Sequence, residues 1–285
     1  MQKIWVCGAR GQIGQAVNDV VDKLEFEMLD TDVDDLDVTD TDEVLRFGEM
    51  NRPDISINCP GMTDISSCEE NPSQAFKVNA LGARNLAIVA AKMQAKMVQL
   101  STDDVFDGKS TEPYTEFDIT NPGTVYGKSK LAGENYVKEF TTKHFIVRST
   151  WVYGKGQNFI NGFLKKVDAG EQLSIASDQF GSPTSANELA RFLLHLVHTS
   201  EYGTYHATNK GVCSRYAFAQ EILKMTGKTA SMQPVPTVMS DFSKVRPAYA
   251  VLDNFIMSMV PIYDFPDWQD SLREYLEERG LYHAE

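Results

Sequence analysis

Through its first half the chain alternates short apolar runs with amphipathic stretches, and this alternation restricts the fold more than any other feature. Strand-like segments at residues 3–6, 26–29, 55–58, 97–100 and 145–148 are separated by helix-like ones. The latter cover residues 12–24 and 41–51, the long run SQAFKVNALGARNLAIVAAKMQ after Pro72, and a stretch from about Tyr126. Strands that alternate with helices predict a parallel sheet covered on both faces. After residue 150 the regularity weakens. NFINGFLKKVDAG and NELARFLLHLVH read as helices, LSIAS and GTYHATN as strands, SRYAFAQEILKMTG as a serine-capped helix ending on glycine, and DWQDSLREYLEERG as a closing helix. The expected architecture is α/β, a doubly wound parallel sheet over residues 1–150 with a smaller α/β lobe over 151–285, some of whose segments return to the sheet.

Composition narrows the function. A chain of 285 residues with 42% hydrophobic content can bury a substantial core, and a net charge of −13 argues against nucleic acid or an anionic membrane as partner. An anionic ligand must then be held locally, by helix N-termini and a few placed cations. Cys7, Cys59, Cys68 and Cys213 form no CxxC pair, so they read as reduced, mostly buried thiols. His195 and His198 sit in an apolar helix pattern and read as packing or solvent-facing residues, so no metal site is expected. No run is apolar enough to span a membrane, and MQKIWVCGARGQIG enters a strand pattern at once; the expected location is the cytoplasm. The acidic run DTDVDDLDVTDTDE at 30–43 is punctuated by Val33, Leu36 and Val38 and reads as folded chain.

Two motifs carry chemistry. Gly8-Ala9-Arg10-Gly11-Gln12-Ile13-Gly14 follows a strand and opens a helix, where glycines let the backbone approach a pyrophosphate at the helix N-terminus. Asp30 ends the second strand, near the offset of about 20 residues expected of a ribose-binding acid. Together they point to a dinucleotide site and a Rossmann-like sheet. An acid at Asp30 would hydrogen-bond the 2′-hydroxyl of NAD, whereas Arg10 could meet the 2′-phosphate of NADP or be a solvated loop residue. The second motif is Tyr126-Gly127-Lys128-Ser129-Lys130, in which Tyr126 and Lys130 share a helix face. A free phenol titrates near pH 10, and a neighbouring ammonium favours its phenolate. Alone, such a pair is a common surface coincidence.

The set GxxGQxG, STDxVFDG, YGKSKLAGE, VRSTWVYG with NF, DQFGSPT and VRPAYAVLDN spans nearly the whole chain. It resembles the extended short-chain dehydrogenase/reductases and, within them, the dTDP-4-dehydrorhamnose reductase family. The resemblance implies that Thr102, Tyr126 and Lys130 are catalytic, with Lys130 also gripping the nicotinamide ribose. It further implies that Gly8, Gly11, Gln12, Ile13 and Gly14 hold the pyrophosphate, Asp30 the ribose, and Asp37 with Val38 the adenine. Gly61, Met62, Thr63 and Leu100 would flank the cofactor, NADPH or NADH, and Asp103 and Trp151 would hold a nucleotide-sugar. For Trp151 the plainer alternative is core packing; Asn158-Phe159 and Asp178-Gln179-Phe180-Gly181 read as mainly structural with some substrate contact. Mg²⁺ has no residue pattern in its favour, and a homodimer is left open.

The implied activity is NAD(P)H-dependent reduction of the 4-keto group of a nucleotide-activated 6-deoxy sugar. Two segments depart from the family. Asp104 stands where a tyrosine is usual, and Asn58-Cys59-Pro60-Gly61-Met62-Thr63 replaces small alanines followed by an aromatic residue or histidine. If the strand stays extended past Leu100, residues 102 and 104 point to one side and Asp104 faces the site. An Asp104 carboxylate ~4 Å from a phenolate would then cost about 1 kcal/mol in water and about 4 at an effective dielectric near 20, unless it turns to water or hydrogen-bonds a sugar hydroxyl of the substrate. These departures keep a second reading open, a nucleotide-binding regulatory subunit like the beta subunit of methionine adenosyltransferase.

Overall fold

A computed structural model describes residues 1–239 and 247–283. Val245 and Arg246, the first two residues of VRPAYAVLDN, lie outside the described residues. The central sheet contains β1 (Gln2–Cys7), β2 (Phe26–Thr31), β3 (Ile55–Asn58), β4 (Lys96–Thr102) and β5 (His144–Ser149), joined at its edge by Gly203–His206 from the second half of the chain. The order runs from Gly203–His206 through β5, β4, β3 and β1 to β2, every pair parallel.

Side chains alternate across this sheet, and both faces are buried. Ile4, Val6, Val98 and Phe145 pack under helices Gln12–Val20 and Ala186–His198. Trp5, Met97 and Ile146 pack on the opposite side under Thr41–Asn51, Ala83–Met93 and Val125–Phe140. A separate core of Tyr153, Phe163, Phe218, Ile222, Trp268 and Leu272 holds the C-terminal lobe together. Truncating one of its buried aromatics to alanine costs about 3–5 kcal/mol.

The order reverses between β1 and β3, whose carboxyl ends continue into Gly8 and Cys59. Such a switch point opens a crevice at the sheet's carboxyl edge. Among the described residues no helix is long and apolar enough to cross a membrane.

The long helical run after Pro72 is not one regular helix. It comprises Pro72–Phe76, a π-helical turn Lys77–Gly82, and Ala83–Met93. The widened turn contains Asn79, whose side chain bonds away from the helix: Nδ2 donates to the Met62 carbonyl (3.0 Å) and to Ser129 Oγ (2.9 Å), and Oδ1 accepts from the Met62 amide (2.9 Å). A π-turn at such a place is a common mark of a functional site.

Candidate active site

The crevice is a cleft of about 1320 Å³, lined on one side by the sheet edge and on the other by the lobe. That exceeds the range of about 300–1,000 Å³ usual for one drug-sized ligand, which leaves room for two. Helix Gln12–Val20 points its N-terminus into it, and Gly11 at the cap makes no side-chain bond to the first-turn amides. Those amides are positioned to meet an anion. Gly8 has φ +74°, and a Cβ there would sit 2.8 Å from the Pro60 nitrogen, so the first glycine answers both the left-handed backbone and the close passage of the departing segment 58–63. Gly14 is buried and does not line the cleft; a Cβ there would lie 2.4 Å from the Gly8 carbonyl, so its work is to let the helix press on the loop. A dinucleotide fits this cradle: the helix terminus is placed to take a pyrophosphate, and the buried Gln12 Oε1 on the cleft wall has no hydrogen-bond partner among the described residues.

Of the residues expected around the cofactor, Gly8, Arg10, Gly11, Gln12, Ile13, Asp37, Val38, Gly61, Met62, Thr63 and Leu100 line the cleft. Asp30 does not. Strand β2 runs on to Thr31, pairing Cys7 with Thr31, so the acid at the cleft is Asp32 and Asp30 is exposed one step short of the edge. Asp32 Oδ2 accepts the Arg10 amide at 2.8 Å.

The reactive side chains meet where β4 ends. Thr102 is its last residue, and Tyr126 and Lys130 project from Val125–Phe140, which Thr124 caps by accepting the Gly127 amide at 3.0 Å. All three are buried and line the cleft. Lys130 Nζ donates to the Leu100 carbonyl at 2.6 Å. Burial lowers its pKa to about 8, against the opposing pull of Glu134 and Cys59. One turn further on, Glu134 is held by Arg148 Nε and Nη2 (2.9 and 2.7 Å) and by Ser101 Oγ (2.5 Å). This pair, whose two members stand in separate motifs with nothing local to join them, ties β4 and β5 to the helix that carries Tyr126 and Lys130. Removing one member of a buried pair costs about 3–5 kcal/mol because the other charge stays buried.

Asp104 does not face the cleft. The extended backbone stops at Thr102, whose Oγ1 accepts the Asp104 amide at 3.2 Å, and Asp103–Val105 turn as a short 3-10 helix. Asp103 lines the cleft while Asp104 is turned beneath it, 1% exposed, one carboxylate oxygen 3.3 Å from the Thr102 hydroxyl. Asp104 therefore neither opposes Tyr126 across the site, nor turns to water, nor lines the cleft where a sugar hydroxyl would meet it; it touches Thr102 from behind.

Trp151 lines the lobe side of the cleft with φ +48°, a costly conformation for a bulky residue and one that gathers at functional sites. Arg215 lies on it, guanidinium carbon 3.4 Å from the ring centroid and 4.8 Å from that of Phe159, and lines the same wall. In DQFGSPT the glycine clears space for the indole: a Cβ on Gly181 would fall 2.6 Å from Trp151 Cε2. Asn158 caps Phe159–Asp168 by accepting the Asn161 amide at 3.0 Å, and both Asn158 and Phe159 reach the cleft. Among the described residues no group of three or more His, Cys, Asp or Glu could hold a metal ion.

A Rossmann-like sheet with a dinucleotide cradle beside a threonine, a tyrosine and a lysine defines an NAD(P)H-dependent oxidoreductase of the extended short-chain class. Residues 1–280 match the family model described as the RmlD substrate binding domain, and the chain belongs to that family. It is 35% identical over 281 residues to the spore coat polysaccharide biosynthesis protein SpsK of Bacillus subtilis, covering 98% of this chain and 99% of that one. A dTDP-4-dehydrorhamnose reductase of Clostridium acetobutylicum has a crystal structure with TM-score 0.95 and 40% identity, covering 98% and 100% of the two chains. That of Bacillus anthracis, solved in complex with NADP, matches at TM-score 0.93 and 35% identity, with 98% and 100% covered.

Proposed function

We propose that this protein reduces the 4-keto group of dTDP-4-dehydrorhamnose to give dTDP-L-rhamnose, with residues 1–150 holding the cofactor and the lobe holding the nucleotide-sugar. The observation that carries the reading is the meeting of Thr102, Tyr126 and Lys130 on one wall of a cleft whose neighbouring wall is the glycine loop. Relatives named as dTDP-4-dehydrorhamnose reductases, such as that of Aggregatibacter actinomycetemcomitans at 31% identity over 96% of this chain, support the choice of sugar.

Bound NAD(P)H supplies a hydride to the carbonyl carbon. Negative charge then grows on the ketone oxygen, and the Tyr126 phenol gives it a proton while the Thr102 hydroxyl donates a hydrogen bond to it. Lys130, one helical turn from Tyr126, favours release of that proton and is placed by Leu100 to reach the nicotinamide ribose. Asp103 and Trp151 hold the nucleotide-sugar against this wall, and the Asp104 backbone amide steadies the Thr102 hydroxyl by donating to its oxygen at 3.2 Å, while substrate takes the hydroxyl proton that otherwise goes to the carboxylates of Asp103 and Asp104.

The test is Tyr126→Phe with dTDP-4-dehydrorhamnose and either reduced cofactor. Turnover should fall by about 100-fold or more, with cofactor binding close to that of the wild type. Undiminished turnover in the variant would overturn the assignment.

A further inference from the structure

We infer that the adenosine end of the cleft is built for a 2′-hydroxyl and that this protein takes NADH in preference to NADPH, an inference that rests on the dinucleotide reading above. Asp32 stands just beyond β2 on the cleft wall, its side chain 20% exposed. Its two carboxylate oxygens accept the amides of Arg10 (2.8 Å) and Val33 (2.9 Å), so the group is fixed by backbone at the place where an acid meets a ribose hydroxyl in this fold.

Arg10 is the residue that could have favoured a phosphate, and it is already engaged. Its Nη2 lies 3.2 Å from Asp34 and 3.3 Å from Asp35, and its Nε 3.8 Å from Asp32. Asp35 in turn accepts the Asp32 amide at 3.0 Å, which closes the cluster around the guanidinium. One cation therefore faces three carboxylates, and Asp37 lines the cleft nearby. The other cleft-lining cations are committed elsewhere: Lys130 to Leu100, Lys155 to Asp19 and Arg215 to the face of Trp151. A 2′-phosphate would bring its negative charge into an acidic surround whose single guanidinium is shared three ways, whereas a 2′-hydroxyl can donate to Asp32. The Bacillus anthracis relative was solved with NADP, so the inference sets this chain apart from it.

The experiment is calorimetric titration of the protein with NADH and, separately, with NADPH, without any sugar. NADH should bind at least about tenfold more tightly, the size expected from one lost hydrogen bond and several like-charge contacts. Asp32→Ser should weaken NADH and tighten NADPH, and Asp34→Ser, on a largely exposed side chain, should narrow the gap in the same direction with the fold undisturbed. In Arg10→Ala the preference for NADH should persist. Equal or tighter NADPH binding by the wild type, or a selective loss of NADPH in Arg10→Ala, overturns the inference and leaves the dinucleotide reading standing. Binding of neither cofactor overturns both.

Discussion

Lys130 is the residue at which stability and chemistry conflict. An ammonium that is 4% exposed and bonded to one carbonyl is less well solvated than in water, which is why its pKa falls from 10.5 to about 8. Because the folded value is the lower one, both states carry the proton below about pH 8 and the cost of burial is constant there. Between about 8 and 10.5 the folded protein sheds the proton while the unfolded chain keeps it, so stability rises with pH across that window. Urea unfolding of wild type and Lys130→Met, compared at about pH 7.5 and about pH 9.5, should show the wild type gaining about 2 kcal/mol relative to the variant. The buried Cys7 and Cys213 thiols, pushed up to about 11 and about 12, titrate in both proteins and cancel. The same variant should lose about 100-fold or more in turnover. No relative gain with pH would mean that the ammonium is not desolvated.

The helix that carries Tyr126 and Lys130 rests directly on the turn that follows Thr102. A Cβ on Gly127 would sit 2.0 Å from the Asp104 carbonyl, so that backbone contact sets the height of the phenol above the threonine. Gly127→Ala should therefore cost about 1–3 kcal/mol in thermal unfolding and lower kcat, because the helix must lift to admit the methyl group. Gly123, four residues earlier, has nothing within 4 Å of its Cβ position, and Gly123→Ala should be neutral or stabilising by up to about 1 kcal/mol. Equal effects of the two substitutions would exclude this seating. The same turn shows where sequence reading stops. Short apolar runs, glycine spacing and the Tyr126–Lys130 motif locate β4, the glycine loop and the start of Val125–Phe140, but no local pattern says at which residue a strand ends. Alternation puts Asp104 on the site only if the strand stays extended, and Thr102 itself nucleates the turn that breaks that condition. The apolar run of β2 stops short for a related reason and points to Asp30, whereas the pairing of Cys7 with Thr31 carries the strand on and brings Asp32 to the cleft. Asn79 and Glu134 each look like an ordinary helix-surface polar residue until the tertiary partners, Met62 and Arg148, are in place.

At the scale of the whole molecule the cleft joins two separately packed bodies of side chains, one on the sheet and one in the lobe, and Trp151 is the second residue past β5 on the way between them. The cleft residues proposed to hold the cofactor belong almost entirely to the sheet side, whereas Trp151, Phe159 and Arg215 stand on the lobe side. Ligands on the two sides should then stabilise the protein in separable steps. A cofactor at a hundred times its dissociation constant adds about 2.7 kcal/mol to the native state, and a thymidine diphosphate placed on the lobe wall adds its own increment by the same relation. Thermal unfolding should show a rise with NADH and a further rise when dTDP is added. Trp151→Ala should keep the first step and lose most of the second, because the indole lines the lobe wall and, packed against Gly181 and under Arg215, holds that wall in place for the nucleotide. If the dTDP step survives in the variant, the indole at φ +48° serves lobe packing alone, and the nucleotide is held by Phe159 and Arg215 without it.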